Sequence, residues 1–131
     1  MNNYNWNMPL IPGTIICAKY NKFDGSLADG IFCVVYDEQL DSNVLTRKNV
    51  LALKLSTQLT LVSNYVVDVD MERNDYLLSK SIVCCSKLHL LHKEQQVYKV
   101  LGKLDKATYD RVFKSYMRFM SETQRQAIDR L

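Results

Sequence analysis

Apolar residues come in short runs as far as residue 101 and with a helical period after it. Thr14–Tyr20 (TIICAKY) is strand-length and β-branched, and it follows the turn signal Pro12-Gly13. Residues 21–30 (NKFDGSLADG) contain two Asp-Gly pairs, Asp24-Gly25 and Asp29-Gly30, and read as a loop. Ile31–Tyr36 (IFCVVY) is continuously apolar, as a central strand is. The polar residues 37–43 predict a turn. Three further runs predict strands: Val50–Leu55 (VLALKL), Tyr65–Val69 (YVVDV) and Ser81–Cys85 (SIVCC), the last running on to Leu88. The first of these also fits a helix, because period alone does not decide so short a run. Gln96–Leu101 (QVYKVL) predicts a short sixth strand or a turn, ended by Gly102.

From Lys106 the pattern changes. Tyr109, Val112, Phe113, Tyr116, Met117 and Met120 share one helical face. Asp105 stands where an N-cap belongs. The spacing predicts a helix from Lys106 to Met120, with Phe113 and Tyr116 toward the core and Arg111, Lys114 and Arg118 outward. Residues 1–11 read as a polar lead-in and 121–131 as a tail. Strands followed by one amphipathic helix predict a mainly β or α+β domain, a small and partly open barrel of five to six strands.

Composition changes this picture little. A chain of 131 residues suits one domain. Hydrophobic residues at 47% and charged residues at 24%, with only four Gly and two Pro, exclude a long low-complexity region. Neither a membrane-length apolar run nor a secretory leader pattern is visible, so a cytoplasmic protein of a bacterium or an infecting phage is expected. The four cysteines, Cys17, Cys33, Cys84 and Cys85, form no C-x-x-C pair and lie in apolar runs, so they read as small buried hydrophobes rather than metal ligands.

Charge adds more. The net charge is +3, but residues 1–79 carry nine acidic and six basic side chains, and residues 80–131 five acidic and eleven basic. The second part suits an acidic partner, RNA or an acidic protein. Lys80, Lys87, Lys93, Lys99 and Lys103, with Tyr98, could form a basic aromatic surface for single-stranded RNA. Lysines also protect solvated strand edges. His89 and His92 are the histidines, titrating near neutrality. Their spacing puts them on opposite faces of a strand. Asp68, Asp70, Glu72 and Asp75 read as a solvated loop. No phosphate-binding Gly-rich loop, Ser-His-Asp signature or metal cluster is visible, and no cofactor is expected.

The order of segments resembles the PemK/MazF family of toxins. Pro12-Gly13-Thr14-Ile15-Ile16 is similar to the family's first strand, Leu53-Lys54-Leu55-Ser56-Thr57 to its strand ending in Ser or Thr, and Ser79–Cys85 to its buried strand before a basic turn. Leu101-Gly102-Lys103-Leu104 before a helix resembles its closing segment. The resemblance spans about residues 12–120. It implies an SH3-like barrel, usually a homodimer, that cleaves single-stranded RNA without a metal and is blocked by an antitoxin. The chemistry is attack of a ribose 2′-OH on the adjacent phosphate, needing a base, an acid and positive charge or hydrogen-bond donors.

The chain departs from the family at two places. The Arg-Pro that opens the family's second strand is Asp29-Gly30 here, and an Asp repels phosphate. The family's Q-x-R segment reads Lys87-Leu88-His89. The residues expected to carry catalysis are therefore Ser56 or Thr57 on the phosphate, Lys87 for charge and His89 as acid or base. Lys80, Lys93, Lys99 and Tyr98 are expected to bind RNA. The competing expectation is a non-catalytic module on the same barrel, such as a phage-encoded inhibitor of a host protein or nucleic-acid complex.

Overall fold

The computed structural model describes residues 7–41, 48–59 and 64–129. The lead-in before residue 7, the end of the 37–43 turn and the last two residues lie outside them. In chain order the elements are β1 (Thr14–Asn21), β2 (Leu27–Asp37), α1 (Glu38–Asp41), β3 (Asn49–Ser56), β4 (Val66–Asp68), β5 (Ile82–His92), α2 (Lys93–Gln96), β6 (Val97–Lys103) and α3 (Lys106–Asp129). The strands form one sheet in the order β4-β5-β3-β2-β1-β6, antiparallel throughout. β4 and β6 stand at opposite ends of that order, so the sheet is not closed. The architecture is α+β.

Only the first Asp-Gly pair turns the chain. Gly25 has φ 86°, its N–H meets Lys22 O at 2.9 Å, and Asp24 Oδ1 accepts from Ser26 N at 2.9 Å. The second pair, read as loop, lies inside β2, where Lys19 faces Asp29 and Ala18 faces Gly30. Gly30 is there for space: a Cβ would lie 2.9 Å from the rings of both Tyr20 and Phe32.

Both faces of the sheet are covered, which is why Ile31–Tyr36 is apolar without alternation. On β3, Leu53 and Leu55 point to one core with Ile15, Val83 and Val112 of α3. Val50 and Ala52 point to a second core with Ile16, Phe32, Val34 and Leu91. That alternation also sends Lys54 and Ser56 away from α3.

α3 runs past Met120 to Asp129, so the expected tail is mostly helix. Asp105 caps it, accepting from Thr108 N at 3.1 Å and from Asn74 Nδ2 at 2.8 Å. The helix is turned from the predicted face. Val112 is fully buried, while Phe113 is 43% exposed and lies beside the Tyr109 ring instead of in the core. Tyr116 does pack against the core. The stripe on α3 is broader than the sheet can cover, and the contact centres on the smaller Val112.

One expected surface residue is in the interior. Lys93, read as part of a basic RNA-binding surface, is fully buried and pairs with fully buried Asp37 at 2.7 Å. Its Nζ also donates to Met8 O at 3.3 Å and to Gln39 Oε1. Asp37 Oδ2 accepts from Leu10 N at 2.7 Å, and its Oδ1 from Gln39 N at 2.9 Å. α2, which no apolar pattern announced, carries this lysine, with His92 Nδ1 accepting from Gln95 N at 3.3 Å at its start.

Removing one partner leaves the other charge buried alone. Lys93→Ala or Asp37→Ala should each cost ~3–5 kcal/mol in denaturant unfolding, and the apolar pair Asp37→Leu with Lys93→Met should recover much of it. The Asp105 cap predicts a pH effect. Burial alone would raise its pKa, but hydrogen bonds from Thr108 and Asn74 and the Arg73 charge outweigh that and hold it at about 2. The stability it supplies is complete above the unfolded carboxylate pKa and is lost as pH falls toward about 2. Asp105→Ala should cost ~0.5–2 kcal/mol near neutrality and progressively less as acid is added.

Candidate functional site

A break in register builds the site. Leu53 of β3 pairs with Leu88 of β5, but Leu55 pairs with Val83, so residues 84–87 have no partner on β3, and Cys84 and Cys85 stay buried beside β4. A bulge of this kind re-aims side chains. Here it carries Lys87, which is exposed, toward the end of β3. Asp29 and Gly30 approach from β2, and Ser81 from just ahead of β5. Together they line an open pocket of about 450 Å³ with Lys54, Ser56, Thr57 and Cys84. Ser56 Oγ accepts from Gln58 N at 3.0 Å, which holds the chain that leaves β3.

Lys54 stands on an aromatic platform. It is the cross-strand partner of Phe32. Its Nζ lies 5.8 Å from the Phe32 ring centroid and 5.1 Å from that of Tyr20, and it donates to Leu55 O at 3.2 Å. Contacts of this type contribute ~0.5–2 kcal/mol and fix where the charge sits. His89 completes the platform edge-on, 5.5 Å from Tyr20 and 5.1 Å from Phe32. Burial lowers its pKa, and the charges of Lys54 and Lys87 lower it further. Its imidazole is therefore neutral at pH 7.

Of the four residues expected to carry catalysis, Ser56, Thr57 and Lys87 meet at the pocket, and His89 stands behind Lys54 without lining it. Of those expected to bind RNA, Lys99 lines a second pocket of about 390 Å³ with Cys17, Tyr76, Leu77 and Leu101. The two pockets share Ile31, Thr57 and Ser81, so they adjoin each other. Tyr98 is exposed beside Lys19, whose Nζ lies 5.9 Å from its ring. Lys80 is exposed next to Ser81. Lys93 is excluded by burial.

Lys54, Tyr20, Phe32 and Ser81 were not singled out by sequence. For Lys54 the signal existed. Strand alternation in Leu53-Lys54-Leu55-Ser56 puts the amine and the hydroxyl on one face. Cys33, Cys84 and Cys85 are buried, and Cys17 is half-buried. Burial pushes the Cys84 thiol up despite Lys87 and Lys54, so it stays protonated in the pocket. Asp29 pairs with Lys19 at 3.3 Å, a contact exposed enough to be weak. Among the described residues no three His, Cys, Asp or Glu side chains group to hold a metal ion. No helix among them is long and apolar enough to cross a membrane.

No protein-family model and no curated protein sequence matches the chain. Solved structures do. An endoribonuclease in complex with its cognate antitoxin, from a Mycobacterial species, superposes with TM-score 0.67 at 14% identity, covering 86% of this chain and 95% of its own. The MazE-MazF structure from Deinococcus radiodurans gives 0.66 at 10% identity, over 87% and 98%. This chain has the MazF fold. A Mycobacterium tuberculosis MazF toxin agrees, with TM-score 0.63 at 15% identity over 82% and 96%. Coverage of that extent on both sides means the MazF fold accounts for most of the chain. At such identity it does not carry the pocket's side chains, which stand on the geometry above.

The platform makes a measurable prediction. An NMR titration should place the His89 midpoint below the ordinary histidine value of about 6.5. Lys54→Ala should move it upward, because one repelling charge has gone. A midpoint unmoved by that change would mean that the two side chains do not face each other.

Proposed function

We propose that this chain is a toxin-type endoribonuclease that cleaves single-stranded RNA without a metal and is held off by a protein antitoxin. The observation that supports it most is the convergence of Lys54, Lys87, Ser56 and Thr57 on one open pocket, in a chain with the fold of known endoribonucleases. Two amines and adjacent hydroxyls suit a phosphodiester, whose transition state gathers negative charge. Asp29 is the carboxylate lining that pocket and is the acceptor for the 2′-OH proton. The 2′-oxygen bonds to phosphorus, the bond from phosphorus to the 5′-oxygen breaks, and the departing oxygen takes a proton from water at the open mouth. The products are a 2′,3′-cyclic phosphate and a 5′-hydroxyl. His89 acts through the rings that carry Lys54, as a positioning residue. A homodimer and an antitoxin partner belong to the same reading; the comparison structures include an endoribonuclease with its cognate antitoxin. The cytoplasm is where such a protein would meet its substrate.

Cleavage of a labelled single-stranded RNA tests this. Lys54→Ala and Lys87→Ala should each lower the rate ~10²–10³-fold, and Asp29→Asn ~10²–10⁴-fold, with the fold intact by circular dichroism. Cleavage should continue in EDTA, since the proposed groups are amines, hydroxyls and one carboxylate. Partner-free protein that leaves the RNA whole, and binds it more tightly as Asp29→Asn, would instead identify a binding module that uses the same pocket.

A further inference from the structure

A separate cleft lies between β4 and α3. β4 ends the strand order, and among the described residues no strand pairs with its outer edge. The hydrogen bonds on its inner side fix which groups are unused. Tyr65 O accepts from Cys85 N at 2.8 Å, and Val69 N donates to Ser81 O at 3.1 Å. Val67 faces Val83 between them. In an antiparallel pair the intervening residues turn their N–H and C=O the other way. The backbone groups of Val66 and Asp68 therefore point away from β5, and Val66 lines the cleft beside α3. That cleft, about 320 Å³, is lined by Asn64, Val66, Val67, Arg111, Lys114 and Arg118, with Ser115.

The cleft's charge selects the occupant. Arg118 is anchored, its guanidinium donating to Asn64 O and standing 5.2 Å from the Tyr65 ring centroid. Arg111 and Lys114 are exposed, and among the described residues neither has an ion-pair partner. Two carboxylates bound this basic stretch: Glu122, which accepts from Tyr65 Oη, and exposed Asp68 at the far end of β4. We propose that this edge takes an extended acidic peptide as an added strand. Its backbone would pair with Val66, its carboxylates would lie over Arg111, Lys114 and Arg118, and its neutral end would lie at Asp68. Main-chain pairing supplies affinity in strand addition, and side-chain pockets supply selectivity. RNA would use the cations but not the peptide groups of Val66. This site shares no lining residue with the lysine pocket, so it stands independently of the catalytic reading.

The test uses the full chain and a short fluorescent peptide of alternating Glu and Val, followed by anisotropy. Three results are expected. The peptide binds. Methylating its alternate backbone nitrogens abolishes binding. Arg111→Glu with Lys114→Glu weakens binding by about tenfold or more, from two charge contacts of ordinary strength. Val66→Pro, which removes an outward N–H at an edge where proline is tolerated, should weaken binding without changing the melting temperature much. No binding by the peptide overturns the proposal. So does a methylated peptide that binds equally well, or an oligouridylate whose binding those two reversals abolish while the peptide's remains. RNA cleavage by the doubly reversed variant should be unchanged, which separates failure here from failure of the ribonuclease reading.

Discussion

The buried Lys93–Asp37 pair is the constraint on which the rest of the architecture depends. Two opposite charges with no exposure survive only when every remaining donor and acceptor is used. Here Met8, Leu10 and Gln39 use them. The pair thereby ties three distant stretches: the segment before β1, the corner where β2 becomes α1, and the short helix between β5 and β6. Lys93 N also donates to Lys48 O at 2.7 Å, which brings in the entry to β3. A one-residue slip of α2 would take Lys93 off Asp37 and put His92 or the carboxylate of Glu94 there. The pair is thus better understood as fixing registry than as adding stability, since an apolar pair of similar volume would serve stability as well.

Registry matters because the site is assembled from strand alternation. Lys54 and Ser56 reach the pocket side by being out of phase with Leu51 and Leu53, which face the core beneath α3. A register shift by one residue on β3 would send the lysine into the core beneath α3 and a leucine into the pocket. The bulge in β5 then adds what regular pairing could not. It frees residues 84–87 from β3 and lets Lys87 approach from the same side as Lys54. Gly30 leaves room for the Tyr20 and Phe32 rings, and those rings hold the Lys54 amine.

Much of this was legible in the sequence, and the rest was hidden for physical reasons. The strands and the terminal helix follow from period and β-branching, and Asp105 as a cap follows from its place before the helical stripe. Ser56, Thr57 and Lys87, expected to act together, line one pocket. Lys93 was misread because a lysine in a polar stretch is normally solvated, and its partner lies 56 residues away. Phe113 was misread because residue size says nothing about which part of a wide apolar stripe meets the sheet. Asp29-Gly30 was misread as a turn because the sequence cannot show two rings lying over the glycine. His89 looked catalytic by residue type alone, and its position depends on a cross-strand pairing with Ala52 that no local pattern encodes.

The electrostatics of the pocket follow from which strand carries the cation. The resemblance implies an arginine at the start of the second strand, where this chain has Asp29. A carboxylate there would defeat phosphate binding if it faced the phosphate alone. It is instead opposed by Lys54 and Lys87 within the pocket and by Lys19 at the rim. In this chain the pocket's cation Lys54 stands on β3, beside the aromatic rings of Tyr20 on β1 and Phe32 on β2. An amine on two rings is a fixed point charge, whereas an arginine would offer a planar fork of donors. The consequence is a division of labour. In the proposed reaction the cations on β3 and β5 would meet the phosphate, and the exposed carboxylate on β2 would take the proton of the neighbouring ribose.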